Sequence, residues 1–195
     1  MPHPPVPDVK RVNRVAVVTV AVGEESKRCL AVSYPLMRTF ADAVGADLHV
    51  SEWPGVAEWP MSCKFGIAGF AALYERILYV DADVLLRPGC VNPFEMCPAG
   101  RMGVVDELQH HRQQPKFGRE RAYQQFRREM GFRSVPSLPW MFNAGVMVVP
   151  NTHAELLLPP AGPMPKGHCA EQDHTNARLL DSGLPYVLLD RRCNW

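Results

Sequence analysis

The stretch "RVAVVTVAVG", residues 14–23, is continuously apolar and rich in β-branched valine, the composition of a strand covered on both faces. A helical period follows. Leu30, Tyr34, Met37, Phe40, Ala41 and Val44 form one stripe, with Glu24 and Glu25 in the first turn and Gly45 near the end. Pro35 is expected to kink this helix or split it in two. "DLHVSEW" reads as a second short strand, "CKFGIAGFAALYE" as a helix with Phe65, Ala68 and Ala72 on one side, and "RILYV" as a third strand. This alternation, with each helix long enough for a crossover, predicts a mainly parallel sheet with helices on both faces. In such sheets ligands collect beyond the carboxyl ends of the strands.

Downstream, "RMGVVD" and "MFNAGVMVV" read as strands, and Gly145 in the second would let a ligand or another backbone approach closely. Residues 119–130 form a helical pattern with Tyr123, Phe126 and Met130 inward. "AEQDHTNARLLDSG" forms another, ending near Gly183, and "LPYVLLD" is a last strand. The opening "MPHPPVPD" holds four prolines in eight residues, so residues 1–11 are expected to be an extended, mobile arm outside the fold. Residues 12–195 then make one α/β domain, since 195 residues suit a single core of ordinary size.

A hydrophobic fraction of 47% excludes a disordered chain, and a net charge of +1 gives no reason to expect nucleic acid as a partner. The six cysteines show neither a CxxC pair nor regular spacing, which points to reduced thiols in a cytoplasmic protein. No signal-peptide pattern is expected at the start, and no apolar run reaches the ~18 residues of a membrane span; peripheral membrane contact stays open.

"RILYVDADVLLRPG", residues 76–89, places Asp81 and Asp83 one residue apart where a buried strand stops. Two carboxylates this close in a half-buried site repel each other and lose hydration unless a cation or protons compensate. Oxygen donors alone suit Mn2+ or Mg2+, whose shell is completed by water and substrate phosphates. The plainer alternative is a strand end in which one aspartate caps the next turn and the other faces water. Three enzyme classes place DxD after a strand. A haloacid dehalogenase-like phosphatase, with Asp81 as nucleophile, carries it on its first core strand, whereas two strand and helix units precede it here. A sugar-nucleotide pyrophosphorylase carries a Gly-rich, Arg-containing loop that "VAVGEESKR" matches poorly. The third class is the metal-dependent glycosyltransferase.

"YERILYVDADVLLRPGCVNPFE", "FNAGVMVV" and "EQDHTN", in that order, resemble the DxD segment, the Asn-x-Gly strand and the Gln-Asp helix of family 8 glycosyltransferases, which include glycogenin and bacterial lipopolysaccharide galactosyltransferases. The resemblance implies a Rossmann-like domain of the glycosyltransferase A type and a metal-dependent, retaining transfer of a hexose from a UDP-sugar to a hydroxyl on a glycan, lipid-linked or protein acceptor. It further implies that Asp81 and Asp83, with Ala82 between them, hold the metal against the diphosphate. Thr19, Val20 and Ala21 would line the nucleoside pocket, and Lys64 and Gly145 would belong to the donor site. Asn143 would hydrogen-bond the sugar or acceptor. Glu171, Gln172 and Asp173 would converge at a helix N-terminus, with Gln172 stabilising the oxocarbenium-like state.

The family's HxxGxxKPW segment, which supplies a histidine ligand to the metal and a lysine to the diphosphate, has no counterpart near "RRCNW". A truncated chain, a diverged subfamily with a replacement ligand, and a nucleotide-sugar-binding protein with lost activity all remain open. Candidate replacement ligands are His168, His174, His110 and His111. Residues 109–133 carry seven lysines and arginines against two glutamates, read as a solvated helix face, or as a flap whose Arg112, Lys116 or Arg119 attracts anions. Asp106 and Glu107 are placed to touch the acceptor.

Overall fold

The computed structural model describes residues 3–10, 12–56, 60–107, 117–133, 140–165 and 169–193. Its strands are β1 (Val15–Val20), β2 (Asp47–Ser51), β3 (Arg76–Val80), β4 (Met102–Asp106), β5 (Phe142–Pro150) and β6 (Tyr186–Leu188). They form one mixed sheet in the order β2-β1-β3-β5-β4-β6. The pairs β1–β2, β1–β3 and β4–β6 are parallel, whereas β5 runs antiparallel to both β3 and β4. The helices are α1 (Glu24–Val44), α2 (Ile67–Leu73), α3 (Pro93–Met96), α4 (Phe117–Glu129) and α5 (Ala170–Ser182).

Each strand of the sheet's centre is buried on both faces, as the valine-rich runs require. Ala16, Val18, Ile77, Tyr79, Met147 and Val149 join Phe70 and Leu179, from α2 and α5, in one core; Val17, Leu78, Val80, Val146 and Val148 join Met37 and Phe40 of α1 in another. The strand alternation thus assigns every second side chain of β1, β3 and β5 to the opposite layer.

Two expectations are corrected. Pro35 does not split α1, which runs unbroken for 21 residues. Its ring lies on the exposed side of the helix, where the carbonyl deprived of a partner one turn earlier, on exposed Ala31, can bond water. Gly45 then ends the helix with φ 65°, its amide reaching back to Ala41 and Asp42. The segment before α2 is a 3-10 turn, Pro60–Gly66, so Lys64 lies on that turn and not on the helix itself.

The proline-rich arm is extended where described, and it lies against α2. Pro4 is buried, Val9 packs on the core, and a Cβ built on Gly69 would stand 2.7 Å from the Pro5 carbonyl oxygen and 2.8 Å from Pro7 Cδ. Among the described residues no helix is long and apolar enough to cross a membrane.

This contact gives a stability test with opposite signs. Gly69→Ala should destabilise the full chain by about 1–3 kcal/mol through overpacking. In a chain lacking residues 1–10 the same change should instead stabilise by up to ~1 kcal/mol, because alanine is the better helix former. Urea denaturation of the four proteins measures both effects.

Candidate functional site

On β3, Ile77 and Tyr79 face the layer of α2 and α5, so the next residue of that parity, Asp81, leaves the sheet on the same side. Its amide bonds the Gly145 carbonyl at 2.8 Å, extending the β3–β5 ladder by one rung past the strand. The Tyr79 hydroxyl donates to Asp81 Oδ1, and Lys64 Nζ sits 3.0 Å from both carboxylate oxygens. Val84 closes a turn back to the Asp81 carbonyl, and Ser33 Oγ of α1 donates to the Ala82 carbonyl at 2.6 Å. Asp83, at the outer corner of this turn, is exposed and has no hydrogen-bond or ion-pair partner among the described residues.

Lys64 is shared. Its ammonium also lies 3.8 Å from Glu171 Oε1, in the first turn of α5. Burial disfavours the charge on Lys64, but the carboxylates of Asp81 and Glu171 outweigh it and hold the amine above its ordinary value. Burial pushes the Glu171 carboxyl up, opposed by Lys64 and by the residue's own backbone amide, and its Oε2 is buried without a hydrogen-bond partner among the described residues. Burial together with the neighbouring Asp81 charge raises the Tyr79 phenol well above its usual range, so it serves as a donor.

The next residues of α5 organise β5. Beyond Val104 and Met147 the β4–β5 register shifts, so that Val105 stands opposite Asn143 and residues 144–146 bulge. Side chains take over the freed amides: Gln172 Oε1 accepts from Ala144 N at 2.9 Å, and Asn143 Oδ1 accepts from Gly145 N at 2.8 Å. Asn176 makes a two-way clamp on Phe142, accepting from its amide at 2.9 Å and donating to its carbonyl at 3.0 Å. Gln172 Nε2 donates to Glu107 Oε2 at 2.8 Å, so both ends of this amide are engaged. Asp173 is gripped by Arg119 of α4 through two bonds of 2.9 and 2.6 Å. Burial raises the Asp173 carboxyl and Arg119 opposes that shift.

Asp81, Lys64, Glu171, Gln172, Asn143 and Gly145 are therefore linked by direct contacts or by one intermediary. Thr19 and Val20 end β1, Ala21 follows it, and all three are buried; the Thr19 hydroxyl has no hydrogen-bond partner among the described residues, and the Ala21 amide bonds the Ser51 carbonyl. Asp106 is buried and receives the Met141 amide, at 3.4 Å. His110, His111, Arg112, Lys116 and His168 lie outside the described residues.

His174 as a metal ligand is corrected. Its ring packs edge-on against Phe65 and Phe132, and Nε2 faces the Leu158 carbonyl at 3.2 Å. Burial lowers its pKa to about 4, so it is a neutral core histidine. The solvated reading of 109–133 holds for Arg121 and Arg128 but not for Arg127, which is 1% exposed, paired with Asp181 and flanked by Tyr123 and Phe132. Asn176 and Tyr79 escaped notice in the sequence. The clamp by Asn176 had one legible signal, its place one helical turn after Gln172 on the same face.

The donor set suits a hard divalent ion in chemistry but supplies only part of a shell. Asp81 and Asp83 are both oxygen donors, and among the described residues no group of three or more His, Cys, Asp or Glu side chains could hold a metal. Remaining positions would fall to phosphate and water, as Mg2+ and Mn2+ tolerate.

No family model matches the sequence, and no curated protein matches it. Solved glycosyltransferases share its fold. A glycosyltransferase involved in glycosylation of the major capsid of PBCV-1 superposes with TM-score 0.55 at 13% identity, over 92% of this chain and 83% of its own. A mutant Drosophila β-1,4-galactosyltransferase 7, in complex with manganese, UDP-Gal and xylobiose, gives 0.53 at 16% identity, over 90% of this chain and 65% of its own. The bifunctional glycosyltransferase WbbM, as an apo structure, gives 0.50 at 12% identity, over 96% and 40%. The chain thus spans less than two thirds of the latter two, and the likeness is one of fold.

Two stability measurements check the site's framework. Asn176→Ala leaves the buried amide and carbonyl of Phe142 unpaired and should cost about 2–3 kcal/mol in urea denaturation. For His174, the folded value of about 4 lies below the ordinary 6.5. Its contribution is therefore present above pH 6.5 and is lost as pH falls toward about 4, by up to ~3 kcal/mol. The wild type should lose stability over that window relative to His174→Gln, as denaturation midpoints at pH 7 and 4.5 would show.

Proposed function

We propose that this chain transfers a sugar from a nucleotide-diphosphate donor to a hydroxyl acceptor. The observation that carries the reading is the placement of Asp81 beyond the carboxyl end of β3, beside Lys64 and two residues before exposed Asp83, on a fold shared with glycosyltransferases. The resemblance to family 8 supports the finer form: a UDP-hexose donor, Mn2+ or Mg2+, and retention at the anomeric carbon. In the reaction the acceptor oxygen bonds to the anomeric carbon and gives up its proton, as the bond from that carbon to the diphosphate oxygen breaks and the nucleoside diphosphate leaves with the electron pair and can take up that proton.

A divalent ion, when bound by Asp83 and Asp81, would offset the charge that grows on the departing diphosphate. The chain's own residues do the rest. Tyr79 and the Gly145 carbonyl fix Asp81 in place. Glu171 shares the Lys64 ammonium with Asp81 and so adds a second carboxylate to the site. Gln172 acts by holding the 143–145 backbone and Glu107, so that Asn143 and Glu107 present a fixed edge to donor and acceptor. A phosphatase with Asp81 as nucleophile fits less well, since it carries its aspartate on the first core strand and β1, α1, β2 and α2 precede β3 here.

Calorimetry with UDP tests the proposal. Mn2+ should strengthen UDP binding by about tenfold or more, ~1.4 kcal/mol per factor of ten, and Asp83→Ala should abolish the gain. Wild-type binding that ignores metal and survives Asp83→Ala would remove the aspartates from the mechanism.

A further inference from the structure

We infer that Lys64 is an exchangeable counter-ion that occupies the charge position beside Asp81 in the free protein and moves toward Glu171 when a divalent ion arrives with the donor diphosphate. The inference rests on the proposed metal role of Asp81. Three observations carry it. The ammonium stands 3.0 Å from both Asp81 oxygens, close enough that a divalent ion on that carboxylate would meet a like charge in a half-buried setting. A second seat lies alongside, with Glu171 Oε1 at 3.8 Å. That seat is incompletely filled, because Glu171 is 4% exposed and its Oε2 is buried without a hydrogen-bond partner among the described residues.

Each group facing the ammonium enters the balance. Asp81 and Glu171 flank it, the Tyr79 ring lies 6.0 Å from Nζ, and Cys63 precedes it in the chain. With Lys64 on Asp81, the ammonium cancels one of the three carboxylate charges of Asp81, Asp83 and Glu171, and it does so at the oxygens that a divalent ion would need. A diphosphate supplies the missing negative charge and lets the metal displace the ammonium. Glu171 then receives Lys64, so neither carboxylate is left buried and uncompensated. Metal and nucleotide must consequently bind with positive coupling, and the coupling is reciprocal.

Electron paramagnetic resonance of Mn2+ titrated into the protein reads this without any turnover. In the wild type, Mn2+ should bind feebly alone and at least about fivefold more tightly with UDP present. Lys64→Met should raise the affinity for Mn2+ alone by a similar factor and shrink the effect of UDP. Glu171→Gln leaves Lys64 on Asp81 and removes its second seat. It should weaken Mn2+ binding more with UDP present than without it, shrinking the effect of UDP, and it decides the matter if Lys64→Met does not fold. Equal Mn2+ affinity of the free wild type and Lys64→Met, or no effect of Glu171→Gln on Mn2+ binding with UDP, overturns the exchange while leaving the sugar-transfer reading intact. Tighter Mn2+ binding by Lys64→Met in a protein that takes no UDP supports the exchange and removes the donor.

Discussion

A strand that leaves its register inside a sheet must find new partners for every amide it frees, and the geometry of this site follows from how β5 does so. On one edge β5 stays paired with β3 as far as Val146, and the Gly145 carbonyl takes one more bond from Asp81. On the other edge it slips past β4 across residues 144–146. Buried amides without partners would cost about 1–3 kcal/mol each, enough to unmake the bulge. Gln172 and Asn143 supply acceptors for Ala144 and Gly145 within the slip, and Asn176 supplies one for Phe142 just before it. The Asn-x-Gly strand and the Gln-Asp helix are thus two halves of one hydrogen-bonded unit, with Asp81 tied to its edge.

Charge is arranged around that unit in compensated sets. Lys64 serves Asp81 and Glu171, and Arg119 serves Asp173 through two parallel bonds of the kind a guanidinium makes well. Three carboxylates and two cations meet beside the carboxyl end of β3, and Asp83 stands outside the compensation at the exposed corner of the turn. Under the proposed exchange, a doubly charged ion or a diphosphate entering here would meet a balance that shifts by small displacements of long side chains, with the backbone left in place.

Much of this was legible in the sequence, for identifiable reasons. Continuous valine runs mark β1 and β5 because a strand covered on both faces has no polar face to show, and the alternation of strand and helix indicates the layered sheet. The same all-apolar character hides direction, so nothing in "FNAGVMVV" reveals that β5 is antiparallel or bulged. Pro35 did not split α1 because it sits on the exposed side of a long helix, where the carbonyl it leaves unpaired stays open to water. Arg127 misled because a basic stretch reads as surface, while its burial depends on Asp181, 54 residues away. Partnerships across such distances, Lys64 with Asp81 and Gln172 with Glu107 among them, exist only once the chain is folded.

The bond from Ser33 to the Ala82 carbonyl reaches the Asp-Ala-Asp turn from the layer opposite Lys64 and Tyr79. A corner held from both sides of a sheet loses its conformational freedom when the protein folds, not when a partner docks. Association at that corner accordingly begins from a preorganised backbone, and the entropy left to surrender belongs to a few side-chain rotamers.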